Sequence, residues 1–109
     1  MLAYPCNAKI FLYTLPVDLR KGFEGLSFLA ESDFKEKVSS GAFFVFLNKR
    51  RNMMKILHWD QDGLSIWHKR LERGLFGKIS TQKVLNRREF LMLLEGITPK
   101  RLNRRFSAI

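Results

Sequence analysis

The feature that most constrains the fold is Ala42-Phe43-Phe44-Val45-Phe46-Leu47, an unbroken run of apolar residues. A half-exposed strand alternates apolar and polar positions. A short continuous run bounded by turn residues predicts a strand buried on both faces. Asn48-Lys49-Arg50-Arg51-Asn52 follows as a strongly basic turn, and residues 53–59 read as the next strand. Asp62-Gly63 is a hairpin signal, because both residues tolerate positive φ, and residues 64–71 form the returning strand. A two-residue loop at Asp62-Gly63 sets Trp59 opposite Ile66, and a four-residue loop sets it opposite Leu64. Either register puts Leu57, Trp59, Leu64 and Ile66 on one face. Met54, Ile56, His58 and Trp67 fall on the other, and neither set is plainly polar.

The flanking segments complete the element list. Residues 9–13 (KIFLY) form a short β-type run. Pro16 interrupts it, and Asp18 stands where a helix N-cap would. Leu19, Phe23, Leu26 and Ala30 recur at helical spacing and predict a helix of about three turns. Gly22 and Gly25 each cost that helix roughly 1 kcal/mol relative to Ala. Their spacing fits either close approach of another backbone or simple tolerance. Residues 31–40 extend the helix or form a loop, and residues 73–82 make an irregular connector. Asn86 and Glu89 stand at capping-box spacing, Phe90, Leu93, Leu94 and Ile97 make an apolar stripe, and Gly96 is placed to stop the helix. The expected fold is α+β, an antiparallel sheet of about four strands with helices near 18–30 and 86–96 packed on it. It occupies residues 1–98 as a single domain, and residues 99–109 form a basic tail.

Charge decides which partners suit such a domain. The 109-residue chain carries a net +10. Residues 1–48 hold five Lys/Arg and five Asp/Glu, whereas residues 49–109 hold fifteen against five. A basic surplus confined to one part is the electrostatic footprint of a polyanion partner. Membrane phosphates suit it less, because the basic segments lack a long amphipathic helix. No apolar run approaches the roughly 20 residues of a membrane span, and the opening residues lack the pattern of a signal peptide. The single Cys6 fits a reducing compartment, so a cytoplasmic location is expected. The candidate nucleic-acid contacts are Lys49, Arg50 and Arg51 on the turn, Lys69, Arg70 and Arg73 after the hairpin, and Lys100, Arg101, Arg104 and Arg105 in the tail. The alternative for the turn is a charged loop that blunts edge-to-edge aggregation, and for the whole surface a role in solubility alone.

Other chemistry is weaker. Phe44, Phe46, Trp59 and Trp67 could stack bases, but residues 40–47 miss several positions of the RNA-recognition strand motif, so these aromatics are assigned to the core. His58 and His68 fall on opposite faces or out of register, and no Cys-x-x-Cys occurs, so neither metal nor cofactor is expected. Asp18, Asp60, Asp62, Glu72 and Glu95 could in principle hold a nuclease metal. Asp18 is better read as a cap, Asp60 and Asp62 as turn residues, and Glu72 as an ion-pair partner. The chain contains no P-loop, nucleophile elbow or dinucleotide fingerprint.

Several blocks carry a family resemblance. VDLRKGFEGL at residues 17–26, the stretch 40–76 with its FVF strand, WDQDG hairpin and KRLERGLF, and LLEGI at residues 93–97 occur in order. Together they resemble the TnpB accessory proteins of the IS-sixty-six group of bacterial insertion sequences, the second-open-reading-frame family of those elements. That family is unrelated to the RNA-guided nuclease sharing the TnpB name. Two departures are Gly77-Lys78-Ile79, where the family usually has an aromatic and a proline, and the Tyr4-Pro5-Cys6 opening. The resemblance implies a small non-catalytic protein encoded beside a separate DDE-type transposase and needed for efficient transposition. DNA is the implied partner, with the transposase and a sister accessory protein beside it, and no catalytic residue is carried over. A protein–protein adaptor without direct DNA contact is the alternative.

Overall fold

The computed structural model describes residues 8–77 and 83–96. In chain order these form β1 (Ile10–Leu12), α1 (Phe23–Phe34), β2 (Phe43–Leu47), β3 (Met53–Asp60), β4 (Gly63–Arg70), β5 (Val84–Leu85) and α2 (Arg87–Glu95), with a 3₁₀ turn at Val38–Ser40. The strands make one sheet in the order β4-β3-β2-β1-β5. The α+β class holds, with two differences from the sequence expectation. First, α1 returns the chain across the sheet, so β1 and β2 run parallel, Ile10 opposite Phe43 and Leu12 opposite Val45. Second, β5 adds a short antiparallel strand on the far side of β1.

Every residue of β2 is buried. Successive side chains of a strand point to opposite faces, and here each face meets its own core. Phe44 and Phe46 join Phe11, Leu57 and, from α1, Leu26 and Ala30. Phe43, Val45 and Leu47 join Ile56, Phe76 and, from α2, Phe90 and Leu93. The two helices therefore cover opposite faces of the sheet, which is why the strand shows no polar alternation. Aromatic packing thickens the α1 side, where Phe11 stacks on Phe44 with centroids 5.5 Å apart and lies 4.9 Å from Phe34. Burial of each of these large side chains contributes roughly 1.5–3 kcal/mol.

Asp18 is not a helix cap. The chain after β1 continues the parallel ladder: the Tyr13 amide donates to the Val45 carbonyl and the Val17 amide to the Leu47 carbonyl, both at 2.9 Å. Val17 and Leu19 are thereby buried in the α1-side core as loop residues. Asp18 instead accepts from the Arg20 amide at 3.0 Å and from its guanidinium at 2.7 Å. Helix α1 starts later, behind Gly22, which offers no side-chain cap. The atoms nearest a Cβ at Gly25 would be those of the Lys21 side chain, at 3.2–3.3 Å, and not another backbone.

Helix α2 has the expected capping box: the Glu89 amide donates to Asn86 Oδ1 at 2.8 Å, and the Asn86 amide to Glu89 Oε1 at 2.9 Å. Gly96 closes the helix at φ 76°. At the β3–β4 turn, Trp59 pairs with Leu64, the register expected of the longer loop, but Asp60 also pairs with Gly63, so the loop is two residues, Gln61 and Asp62. Positive φ falls on Gln61 (61°), not on Asp62 or Gly63. The Asp62 amide folds back to the Asp60 carbonyl at 2.6 Å.

Candidate nucleic-acid interface

The basic turn is built by two asparagines. Asn48 Oδ1 accepts from the Asn52 and Met53 amides at 3.1 and 3.0 Å, and Asn48 Nδ2 donates to Asn52 Oδ1 at 2.7 Å. This frame leaves Lys49 and Arg50 exposed at the tip. Arg51 is handled differently. Its backbone takes φ 58°, and its Nη2 donates to the Phe76 carbonyl at 2.7 Å. The Phe76 amide donates back to the Arg51 carbonyl at 2.8 Å. Partial burial pushes the Arg51 guanidinium pKa down. Of the three predicted contacts on this turn, two face solvent and the third holds the turn to the connector.

The second predicted cluster reaches the same end of the sheet. Met53 pairs with Arg70, and the Leu71 amide donates to the Asn52 carbonyl at 2.7 Å. Lys69, Arg70 and Arg73 are all exposed there. Arg70 Nε donates to Glu72 Oε2 at 3.0 Å, the ion pair expected of Glu72. Lys69 lies opposite Met54 and Arg70 opposite Met53, so they stand on different faces and the basic surface wraps around this end. The tail residues Lys100, Arg101, Arg104 and Arg105 lie outside the described residues, as do Cys6 and Ile97.

Sequence reasoning missed a third contributor, the segment before α1. Residues 16–20, including Arg20, join Lys49, Arg50, Met53 and His68 around an open cleft of about 630 Å³. A smaller hollow of about 250 Å³ on the other side of the turn is lined by Thr14, Leu47, Lys49, Arg51 and Gly77 among others. Lys49 borders both. His68 pairs with Lys55 across the hairpin, and Lys55 Nζ donates to the Lys21 carbonyl at 3.0 Å. Desolvation first, then the Lys55 and Arg70 charges, push the His68 pKa down. The hydrogen bonds from Arg20 hold the Asp18 carboxyl well below the usual carboxylate range. The signal that could have found Arg20 was its place in the DLRKG block.

The opposite end of the hairpin is acidic. Asp60 and Asp62 are exposed at the β3–β4 turn, separated from Arg70 by the length of β4, roughly 27 Å for eight residues at about 3.4 Å each. The five acids considered as a metal site do not converge, because Asp18 and Glu72 lie at the basic end, Asp60 and Asp62 at this one, and Glu95 on α2. Among the described residues no group of three or more His, Cys, Asp or Glu is placed to hold a metal ion. His58 and His68 fall on opposite faces, His58 with its ring 4.3 Å from Phe43. Phe44 and Phe46 are fully buried. Trp67 packs against the α2-side core, while half-buried Trp59 donates Nε1–H to the Gln61 carbonyl at 3.1 Å.

Comparison with known proteins fits this arrangement to a family. The model of the family described as IS66 Orf2 like protein matches residues 8–104. The chain belongs to that family. It is similar to the uncharacterized protein y4jC of Sinorhizobium fredii (strain NBRC 101917 / NGR234), at 31% identity over 89% of this chain and 86% of the relative. It is also similar to the uncharacterized protein y4hO of the same strain, at 30% identity over 70% of this chain and 66% of that relative. No solved structure matches. Membership implies an accessory protein of insertion-sequence transposition. Among the described residues no helix is long and apolar enough to cross a membrane.

Proposed function

We propose that this IS66 Orf2-like protein is a non-catalytic, cytoplasmic accessory factor that binds DNA through the basic end of its sheet. The observation that carries the reading is convergence. Two clusters nearly twenty residues apart in sequence, Lys49-Arg50 and Lys69-Arg70-Arg73, meet at one end, joined there by Arg20 beside the cleft. Lys49, Arg50, Lys69 and Arg73 are the phosphate contacts. Arg70 shares its guanidinium with Glu72, and Arg51 orients the tip instead of touching DNA. The tail adds four further cations at residues 100–105. The transposase and a sister accessory protein are the protein partners that fit a factor of this kind.

Titration of element-end and random duplexes at several salt concentrations tests the reading. Each phosphate contact contributes roughly −0.9 to the slope of log affinity against log salt. Replacing Lys49, Arg50, Lys69 and Arg73 together by Ala should flatten the slope by about three to four units. Absence of binding at low salt would overturn the DNA reading and leave an adaptor whose basic end meets acidic protein segments.

A further inference from the structure

Strand β4 ends the sheet, bonded to β3 along one side only among the described residues. It runs eight residues in unbroken register, with no proline and no bulge. Sheets ordinarily blunt such an edge with a short strand, a bulge, a proline or charged side chains, because its free backbone groups template further pairing, and on β4 the Lys and Arg stand only at its last two positions, Lys69 and Arg70. The Leu71 amide bonds to the Asn52 carbonyl. Alternation along the antiparallel ladder therefore turns the backbone groups of Leu64, Ile66, His68 and Arg70 outward. The middle of the edge is apolar on both faces, with half-buried Leu64 and Ile66 on one and Trp67 on the other. Its ends differ in charge: Asp60 and Asp62 stand at one, and Lys69, Arg70 and Arg73 with a single acid, Glu72, at the other, all exposed.

We propose that the β4 edge is an interface for a second copy of this chain, paired antiparallel about a two-fold axis near Ile66. Charge selects this occupant. An antiparallel pair centred on Ile66 sets Arg70 of each copy beside Asp62 of the other, whereas a parallel pair sets like charges together. The surface is thus complementary to itself, as a two-fold interface requires. Pairing joins the two sheets into one of ten strands and extends both apolar layers across the seam. The inference does not depend on the DNA reading, since it uses the backbone edge, Asp62 and Arg70, and Arg70 is not one of the phosphate contacts.

Sedimentation of the full chain without nucleic acid tests it. The expected result is a reversible species of twice the 12.8 kDa chain mass. Ile66→Pro deletes an outward amide that β3 does not use and should return the mass to that of one chain. Asp62→Arg and Arg70→Asp should each weaken the dimer several-fold, and the double swap should restore it. If Ile66→Pro does not fold, amide exchange decides in its place: Ile66 and His68 should gain protection as concentration rises, while Trp67, bonded to β3, should not. The proposal is overturned by a chain that stays monomeric at every concentration, or by a dimer indifferent to both the proline and the charge swap. Concentration-independent protection of Ile66 would also overturn it.

Discussion

At the scale of single residues, neighbours in one basic triplet do different work. Arg51 ties the turn to Phe76 through its side chain and its carbonyl, whereas Lys49 and Arg50 project from the tip. Arg51→Met should destabilise the fold by roughly 1–3 kcal/mol in denaturant titration, since it removes the charged hydrogen bond that holds the turn to the Phe76 carbonyl. Lys49→Ala should shift stability by no more than about 0.5 kcal/mol and act on the salt slope instead. The histidines give a pH signature. Desolvation lowers the folded pKa of both His58 and His68 below the ordinary 6.5. The unfolded chain then takes up protons first as pH falls, so stability should decline below that value and recover above it. DNA binding should respond in the opposite sense, because a phosphate beside His68 favours the imidazolium. Affinity should rise as pH drops through the same window, and His68→Gln should flatten that rise in an anisotropy titration.

At the scale of elements, the capping box on α2 is the clearest case of local chemistry setting a boundary. Asn86→Ala should cost about 1 kcal/mol, read from the unfolding midpoint, with the affinity for DNA unchanged. That helix was legible because Asn86, Glu89 and Gly96 each impose a specific backbone geometry at its ends. Strand β2 was legible because its apolar run admits few other placements. The start of α1 was not. Leu19 shares helical spacing with Phe23, Leu26 and Ala30, yet its burial comes from a loop bonded to β2, a tertiary contact that periodicity cannot separate from a helical one. The parallel pairing of β1 with β2 has the same origin, since strand direction depends on where α1 returns the chain. At the β3–β4 turn, Asp62-Gly63 marked the hairpin, but the strained residue is Gln61, one position earlier. The candidate site divided in the same way: charge identified two clusters, but only the β3–β4 register brought them to one end and drew in Arg20 and His68.

At the scale of the whole molecule, one sheet serves two cores, and neither helix touches the other's layer. Leu26→Ala on the α1 side and Leu93→Ala on the α2 side should each cost roughly 2–5 kcal/mol. Because both layers hang on β2, the domain should still unfold in a single step, with far-UV circular dichroism and tryptophan fluorescence reporting coincident transitions. Separate midpoints for the two probes would show that the layers melt independently. The position of β1 has a consequence for biosynthesis. It pairs with β5, Ile10 opposite Leu85, so a strand made early on the ribosome waits for one made late. At about 5–20 residues per second the wait is roughly 4–15 s. Throughout it the side of β2 and β3 that α2 will cover, including Phe43, Val45 and Ile56, has no lid. A nascent chain at that stage is a natural client for chaperones that shelter apolar strands.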